Sequence, residues 1–254
     1  MVYVALSRVQ CLEQLYILEE LPVEKMKPWM DAIDEMKRLD SLDELRRTSN
    51  YNFKVVSMNT SSLQAHYEDI LADTHLLDSN LICIQETWTM PEETPHRFPI
   101  PGKTMHLNSV RRGAGIATYY PSDFTLLKDI TAMTYQMTAI TSEDKDMTVI
   151  NLYRSSNANN DTVIRALNSI IAQENKSLLI CADWNFCHRD EQNHKIYKFL
   201  IENQFSPSQN PPEATHRDGR CLDMIWTRMN EHLELMNYTR FAYYTDHGQQ
   251  YLTF

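Results

Sequence analysis

From Phe53 to the C-terminus, short runs rich in β-branched and aromatic residues alternate with amphipathic stretches, and this alternation restricts the fold more than any other feature. FKVVSM (53–58), LICIQ (81–85), GIATYY (115–120), YQMTAIT (135–141), MTVINLY (147–153), SLLICA (177–182) and CLDMIW (221–226) read as strands. Leu63, Tyr67, Ile70 and Leu71 gather on one helical face, as do Val163, Ile164, Leu167, Ile170 and Ile171, with Asp161 placed to start the second helix. Mixed strands with covering helices over roughly 200 residues predict an α/β domain of two packed mixed β-sheets flanked by helices, a four-layer sandwich. No internal repeat or low-complexity tract interrupts it.

The chain before Phe53 has a different texture. Met26, Trp29, Met30, Ile33, Met36, Leu39, Leu42 and Leu45 recur at helical spacing among mixed charges that form a solvated face. RRTSNYN (46–52) then breaks the pattern. The expected organisation is a short N-terminal motif (1–22), a helical extension (23–50) and the α/β domain (51–254). The five cysteines show no CxxC spacing, which suggests reduced core thiols rather than a disulfide framework or a cysteine zinc site. Neither a signal peptide nor a membrane span is evident, so an intracellular protein with no membrane partner is expected. The formal net charge of −10 speaks against a broad basic surface for nucleic acid. It is compatible with a carboxylate-rich metal site, because the ion reverses the local sign.

Polar residues recur where the strands finish. SLLICADWNF (177–186) is an apolar run that ends in Asp183, Trp184 and Asn185, and in an extended chain the residues two apart share a face. FKVVSM leads to Asn59, LICIQ to Glu86 and Thr87, CLDMIW contains Asp223, and YTDHGQQ carries Asp246 and His247. One such residue is an ordinary turn former. Five strand ends of this kind, with acids and a histidine among them, point to a site for a hard divalent cation.

QETW (85–88), ADWNF (182–186), RCLDMIW (220–226) and TDH (245–247), in this order and preceded by strands, resemble the endonuclease/exonuclease/phosphatase superfamily, which includes AP endonucleases and retrotransposon endonucleases. SMNTSSL (57–63) and NLYRSSN (151–157) fit its first motif and its tyrosine-bearing strand. The resemblance implies a Mg2+ site, with Mn2+ as a substitute, at Glu86, Asn59 and Asp246. It implies catalytic roles for Asp183, Asn185, His247, Asp223 and Tyr153. Asp223 would orient His247, and either Asp183 or His247 could take the proton from water. Tyr153 could equally be a half-buried strand aromatic. His216 and His188 are expected near the mouth and the other histidines at the surface; Trp184 and Trp226 are expected in the core, with lining a nucleic-acid groove as the alternative. Ser61 stands where many relatives have an acid, Thr245 replaces a usual Ser, and Gln249 stands where Pro is common. Only seven residues follow His247, so a short, weakly held last strand is expected.

YVALSRV (3–9) resembles the last motif of superfamily 1 DNA helicases, with Arg8 as its γ-phosphate arginine, yet no GxxxxGK[ST] loop is present to hold ATP. A helicase tail ahead of this nuclease type resembles Helitron-like transposon proteins, which implies a nuclear place. The leading expectation is a metal-dependent endonuclease that hydrolyses DNA and has no ATPase activity. The alternatives are a phosphatase or phosphodiesterase of the same fold, or a catalytically dead transposon remnant that serves as a binding module.

Overall fold

The computed structural model describes residues 53–188, 194–230 and 235–254, all within the unit Tyr51–Phe254. The helicase-like motif with Arg8, the helical extension, Cys11 and His232 lie outside the described residues. The chain runs β1 (Lys54–Asn59), α1 (Leu63–Ala72), α2 (Thr74–Leu77), β2 (Leu81–Gln85), β3 (Thr104–Asn108), β4 (Ile116–Tyr120), β5 (Thr125–Ala132), β6 (Tyr135–Ser142) and β7 (Met147–Arg154). It continues through α3 (Asn160–Ile171), β8 (Ser177–Asp183), α4 (Lys195–Glu202), β9 (Ser206–Pro207), β10 (Asp223–Arg228), β11 (Met236–Phe241) and β12 (Gly248–Thr253). Among the described residues no helix is long and apolar enough to cross a membrane.

Two six-stranded mixed sheets result, ordered β11-β12-β1-β2-β4-β3 and β5-β6-β7-β8-β10-β9, and they pack face to face with helices outside, as the strand and helix pattern predicts. Each sheet holds one parallel pair, β1 with β2 and β7 with β8. A parallel pair needs a crossover, which α1 and α2 supply in the first sheet and α3 in the second. Asn159 rather than Asp161 caps α3, its Oδ1 accepting from the amides of Asp161 and Thr162, while Asp161 sits in the first turn. The last strand is not short: β12 spans six residues between β1 and β11, and Phe254 exchanges two 3.1 Å backbone hydrogen bonds with Phe53.

Strands β1, β2, β7 and β8 are buried on both faces, so alternation along them separates two environments. Val55, Leu81, Val149, Leu179 and Ile225 form the apolar layer between the sheets, whereas Ile150, Leu152, Leu178, Ile180 and Trp226 belong to the outer core under α3 and α4. Along the inner faces the residues turn polar toward one edge. Gln85 Nε2 donates to Asn151 Oδ1 at 2.8 Å and to Ser57 Oγ at 3.2 Å, and Asn151 Nδ2 donates to Ala117 O and Thr118 Oγ1 at 3.0 Å each. Beyond this bridge lie Asn59, Tyr153, Asp183 and Asp223.

A second buried network ties the last two strands to the corner between α1 and α2. Arg240 Nη1 donates to both oxygens of Asp73 (3.0 and 2.8 Å) and to Gln249 Oε1 (2.8 Å), while Gln249 Nε2 donates to Asp73 (2.9 Å) and Tyr244 Oη (2.8 Å). Asp73 also caps α2 by accepting from the Leu76 amide. Burial works to raise the Asp73 pKa, but the Gln249 hydrogen bond and the Arg240 charge outweigh it and hold the carboxyl below its ordinary 3.8. A depressed carboxylate contributes stability that is complete above the unfolded pKa and drains away as pH falls through the folded one. Asp73→Asn is therefore expected to lower unfolding free energy by about 2 kcal/mol at neutral pH. In urea melts the difference from wild type should stay constant above about pH 5 and shrink below about pH 4.

Candidate active site

Topology brings the strand-end residues to one edge. The parallel strands β1, β2, β7 and β8 all finish there, carrying Asn59, Gln85 with Glu86 beyond it, Tyr153 and Asp183. The antiparallel partners β10 and β12 start there, so Asp223 pairs directly with Asp183, and His247 immediately precedes β12. Strand ends that converge on one edge are where open α/β folds place their ligands.

Asp183 is fully buried and accepts three N–H bonds. Oδ2 receives Asn59 Nδ2 at 2.9 Å and Asn185 Nδ2 at 3.1 Å, and Oδ1 receives the Asn185 amide at 3.0 Å. The Asn59 bond crosses from the first sheet to the second. Burial, and then the carboxylates of Asp223 and Glu86, raise the Asp183 pKa against the pull of His247 and Asn59. His247 Nδ1 lies 2.8 Å from Asp223 Oδ2, and Thr215 Oγ1 holds that aspartate's backbone by accepting from the amides of Leu222 and Asp223 at 2.9 and 3.0 Å. Burial disfavours the imidazolium, but Asp223, with Asp183 and Asp246, outweighs it and lifts His247 to about 10. Thr245 Oγ1 donates to Asn59 O at 2.9 Å and accepts from the His247 amide at 3.2 Å, so the threonine buckles this loop to β1.

Glu86 and Tyr153 form the other wall. Glu86 is half-buried at a left-handed φ of 50°, and its Oε2 accepts from the indole of Trp88 at 3.3 Å. Gly115 lets this turn close, since its amide donates to Gln136 Oε1 on one side and a Cβ there would collide with Thr87 Oγ1 on the other. Tyr153 is buried, and its hydroxyl pKa is raised by desolvation and by Glu86, to which it is hydrogen-bonded. Asn59 Oδ1 accepts from the Ser61 amide at 2.9 Å. Glu86, Asn59 and Asp246 are oxygen donors. Glu86 and Asn59 follow adjacent paired strands, whereas Asp246 is exposed and its Oδ2 lies 3.2 Å from His216 Nε2.

Several expectations change in detail. Asn185 reaches Asp183 by a left-handed turn (φ 51°) after β8 has ended, not by strand alternation. His188 is core rather than mouth: it is fully buried, stacks on Phe186 at 4.6 Å, accepts from Trp226 Nε1 at 3.2 Å, and burial pushes its pKa down to about 3. Trp184 and Trp226 are fully buried core residues and line no groove. His216 does sit at the mouth, its ring 4.8 Å from that of His247. His75 is half-buried, with its ring edge against Tyr251, rather than a surface group. The sequence reading missed Arg154, whose Nη1 donates to Trp184 O at 2.8 Å and whose carbonyl accepts from Asn185 Nδ2 at 2.9 Å, so it pins the turn after β8. An arginine that ends an apolar strand, as Arg154 ends MTVINLY, was the available signal.

The two stacked six-stranded mixed sheets are the fold of a protein from Bacteroides thetaiotaomicron described as an endonuclease/exonuclease/phosphatase family protein (12% identity, 79% of this chain and 96% of that one, TM-score 0.56). The family model described as endonuclease-reverse transcriptase matches residues 147–251. The fold is shared with an AP endonuclease from Archaeoglobus fulgidus (14% identity, 80% of this chain and 99% of that one, TM-score 0.59). It is shared with the 3'-5' exonuclease NExo from Neisseria meningitidis (14%, 79% and 98%, 0.60). It is also shared with the endonuclease domain of TRAS1, a telomere-specific non-LTR retrotransposon (12%, 80% and 98%, 0.59). No curated protein sequence matches the chain.

Thr215 offers a test of how the Asp223–His247 pair is held. Thr215→Val keeps the shape but leaves two buried amides without their acceptor, so unfolding free energy measured in denaturant should fall by about 1–3 kcal/mol.

Proposed function

We propose that residues 51–254 form a metal-dependent endonuclease that hydrolyses DNA phosphodiester bonds, in a transposon-derived protein acting in the nucleus. The observation that carries this reading is Asp183, buried between two sheets, held by three N–H donors and facing both the His247–Asp223 pair and Glu86. Support also comes from the family match over 147–251 and from a fold shared with proteins titled AP endonuclease and retrotransposon endonuclease.

A carboxylate has about four lone-pair sites, and three on Asp183 are taken, which leaves one on Oδ1 for the attacking water. Asn59 and Asn185 fix its orientation, so that in its ionised form it can take a proton from that water. His247, kept as imidazolium by Asp223, donates to a non-bridging phosphate oxygen as charge builds. Tyr153 orients the phosphate from the Glu86 side. The oxygen donors Glu86, Asn59 and Asp246 fit magnesium, and manganese accepts the same set. When bound, such an ion neutralises charge on the phosphate and the departing oxygen. Residues 1–22, which carry the helicase-like motif, and 23–50 do not serve the hydrolysis on this reading.

The test is plasmid nicking by purified chain with and without magnesium. Glu86→Ala should lose activity that raised metal partly restores, whereas Asp183→Asn and His247→Ala should lose about a hundredfold or more without such rescue. Circular dichroism should show Asp183→Asn folded, since the change removes a buried charge and keeps its shape. Full activity of Asp183→Asn, or nicking indifferent to chelator, would overturn the assignment. Phosphate release without nicking would move it to a phosphatase, and retained DNA binding without turnover to a binding remnant. A chain starting near Asn50 should nick as the full chain does; an insoluble or low-melting product would refute the domain boundary.

A further inference from the structure

The mouth carries a histidine that the hydrolysis does not use. His216 lies in the Thr215–Arg220 turn, and its backbone forms an isolated antiparallel bridge with His247. The two loops are zipped together, the Gly248 amide donating to Thr215 O at 2.6 Å and the Arg217 amide to Asp246 O at 2.9 Å, and the turn itself is closed by the His216 amide donating to Arg220 O at 3.0 Å. Gly248 permits the approach, since a Cβ there would press on Thr239 Cγ2. The side chains are thereby preset. Donor atoms of His216, Asp246 and His247 all lie within 4.8 Å of one another.

We infer that His216, Asp246 and His247 form a second metal site, for a zinc-class transition ion, at the mouth. Two imidazoles with one carboxylate select such an ion over magnesium, which prefers oxygen alone. The tautomer of His216 suits it. Nδ1 lies 2.7 Å from Asp218 Oδ1 and 3.2 Å from the Asp218 amide, and the shorter contact makes Nδ1 the donor. Nε2 is then left as a free lone pair turned toward Asp246 Oδ2 at 3.2 Å. That gap is long for a charge-assisted hydrogen bond (about 2.7–2.9 Å). It is close to the roughly 3.3 Å between two ligands of a tetrahedral ion with bonds of about 2.0–2.1 Å. Asp218, in turn held by Arg220 Nε at 2.5 Å, supplies the carboxylate behind the histidine that metal-binding imidazoles usually have. His247 has Nδ1 engaged by Asp223, so Nε2 is the nitrogen it can offer. Occupation would tie up that nitrogen and switch the proposed hydrolysis off.

Co2+ serves as the probe, because four- or five-coordinate cobalt absorbs visibly where hexa-aquo cobalt hardly does. Wild-type protein should bind Co2+ with a strong visible band, beside any weakly absorbing ion at the Glu86 oxygen donors; Glu86→Ala should keep the band. His216→Gln should weaken binding tenfold or more and lose the band, and Asp218→Asn, an exposed change that leaves the fold alone, should weaken it about tenfold. An aquo-like spectrum in wild type, or a band and affinity unchanged in both His216→Gln and Asp218→Asn, would overturn the site. This binding result is independent of the nuclease reading. If the chain nicks DNA, Zn2+ should suppress magnesium-supported nicking in wild type and spare His216→Gln; equal suppression of the two would remove the regulatory role.

Discussion

The hydrogen bond from Asn59 to Asp183 is the contact on which the candidate site depends. It joins the end of a strand in one sheet to the end of a strand in the other, and both residues are essentially buried. A carboxylate removed from water is costly unless N–H groups replace the lost solvent. The sandwich meets this requirement for Asp183 at the edge where Asn59 and the Asn185 turn reach it, and the inner faces become apolar away from that edge. Val55, Leu81, Val149 and Leu179 exclude water at one end; Gln85 and Asn151 bridge the sheets in the middle; the acids occupy the other end. The polarity gradient along four strands therefore decides where the chemistry sits.

The buried polar groups also set limits on the rest of the domain. Gln249 is fully buried with contacts from Arg240, Tyr251, Asp73 and Tyr244. A group with that many partners cannot be lost singly without leaving the others unsatisfied. The network anchors β12 and Tyr244, and the loop between them carries Thr245, Asp246 and His247. Stability of the corner between α1 and α2 and alignment of His247 are thus parts of one packing problem.

Much of the fold was legible because the central strands are buried on both faces and read as apolar runs, SLLICAD and MTVINLYR among them. The strands that escaped notice are those whose setting, not composition, makes them strands. TLLKDITA is a half-exposed edge with a register shift between Leu126 and Lys128, and GQQYLT opens with glycine and two glutamines yet is wholly buried. Gln249 is held in part by Met58 and Asp73, more than a hundred residues away, and Gln250 by the Ile225 amide, none of which local pattern encodes. The site residues stood out as polar groups in apolar contexts. Arg154 and Thr215 hold the backbone of Trp184, Leu222 and Asp223, work that shows only in the fold: Arg154 is marked just by its place at the end of an apolar strand, and Thr215 sits in a loop whose local sequence does not set it apart.

The charge distribution fits an edge that handles a phosphate better than the total charge suggests. The formal charge of −10 repels a polyanion at long range, and screening confines that repulsion to about 8–10 Å at physiological salt. Inside that distance the local groups decide. The His247 imidazolium faces Asp183 and Asp223, the Arg111 charge acts on Tyr153, and Trp88 stands 37% exposed beside Glu86, offering an aromatic face next to a carboxylate. An anion approaching this edge meets carboxylates first unless a cation is bound among them. A divalent ion at the oxygen donors and a substrate phosphate would then depend on each other for binding. On the proposed reading, the same acidic edge that would discourage free DNA would become attractive to it once an ion is bound.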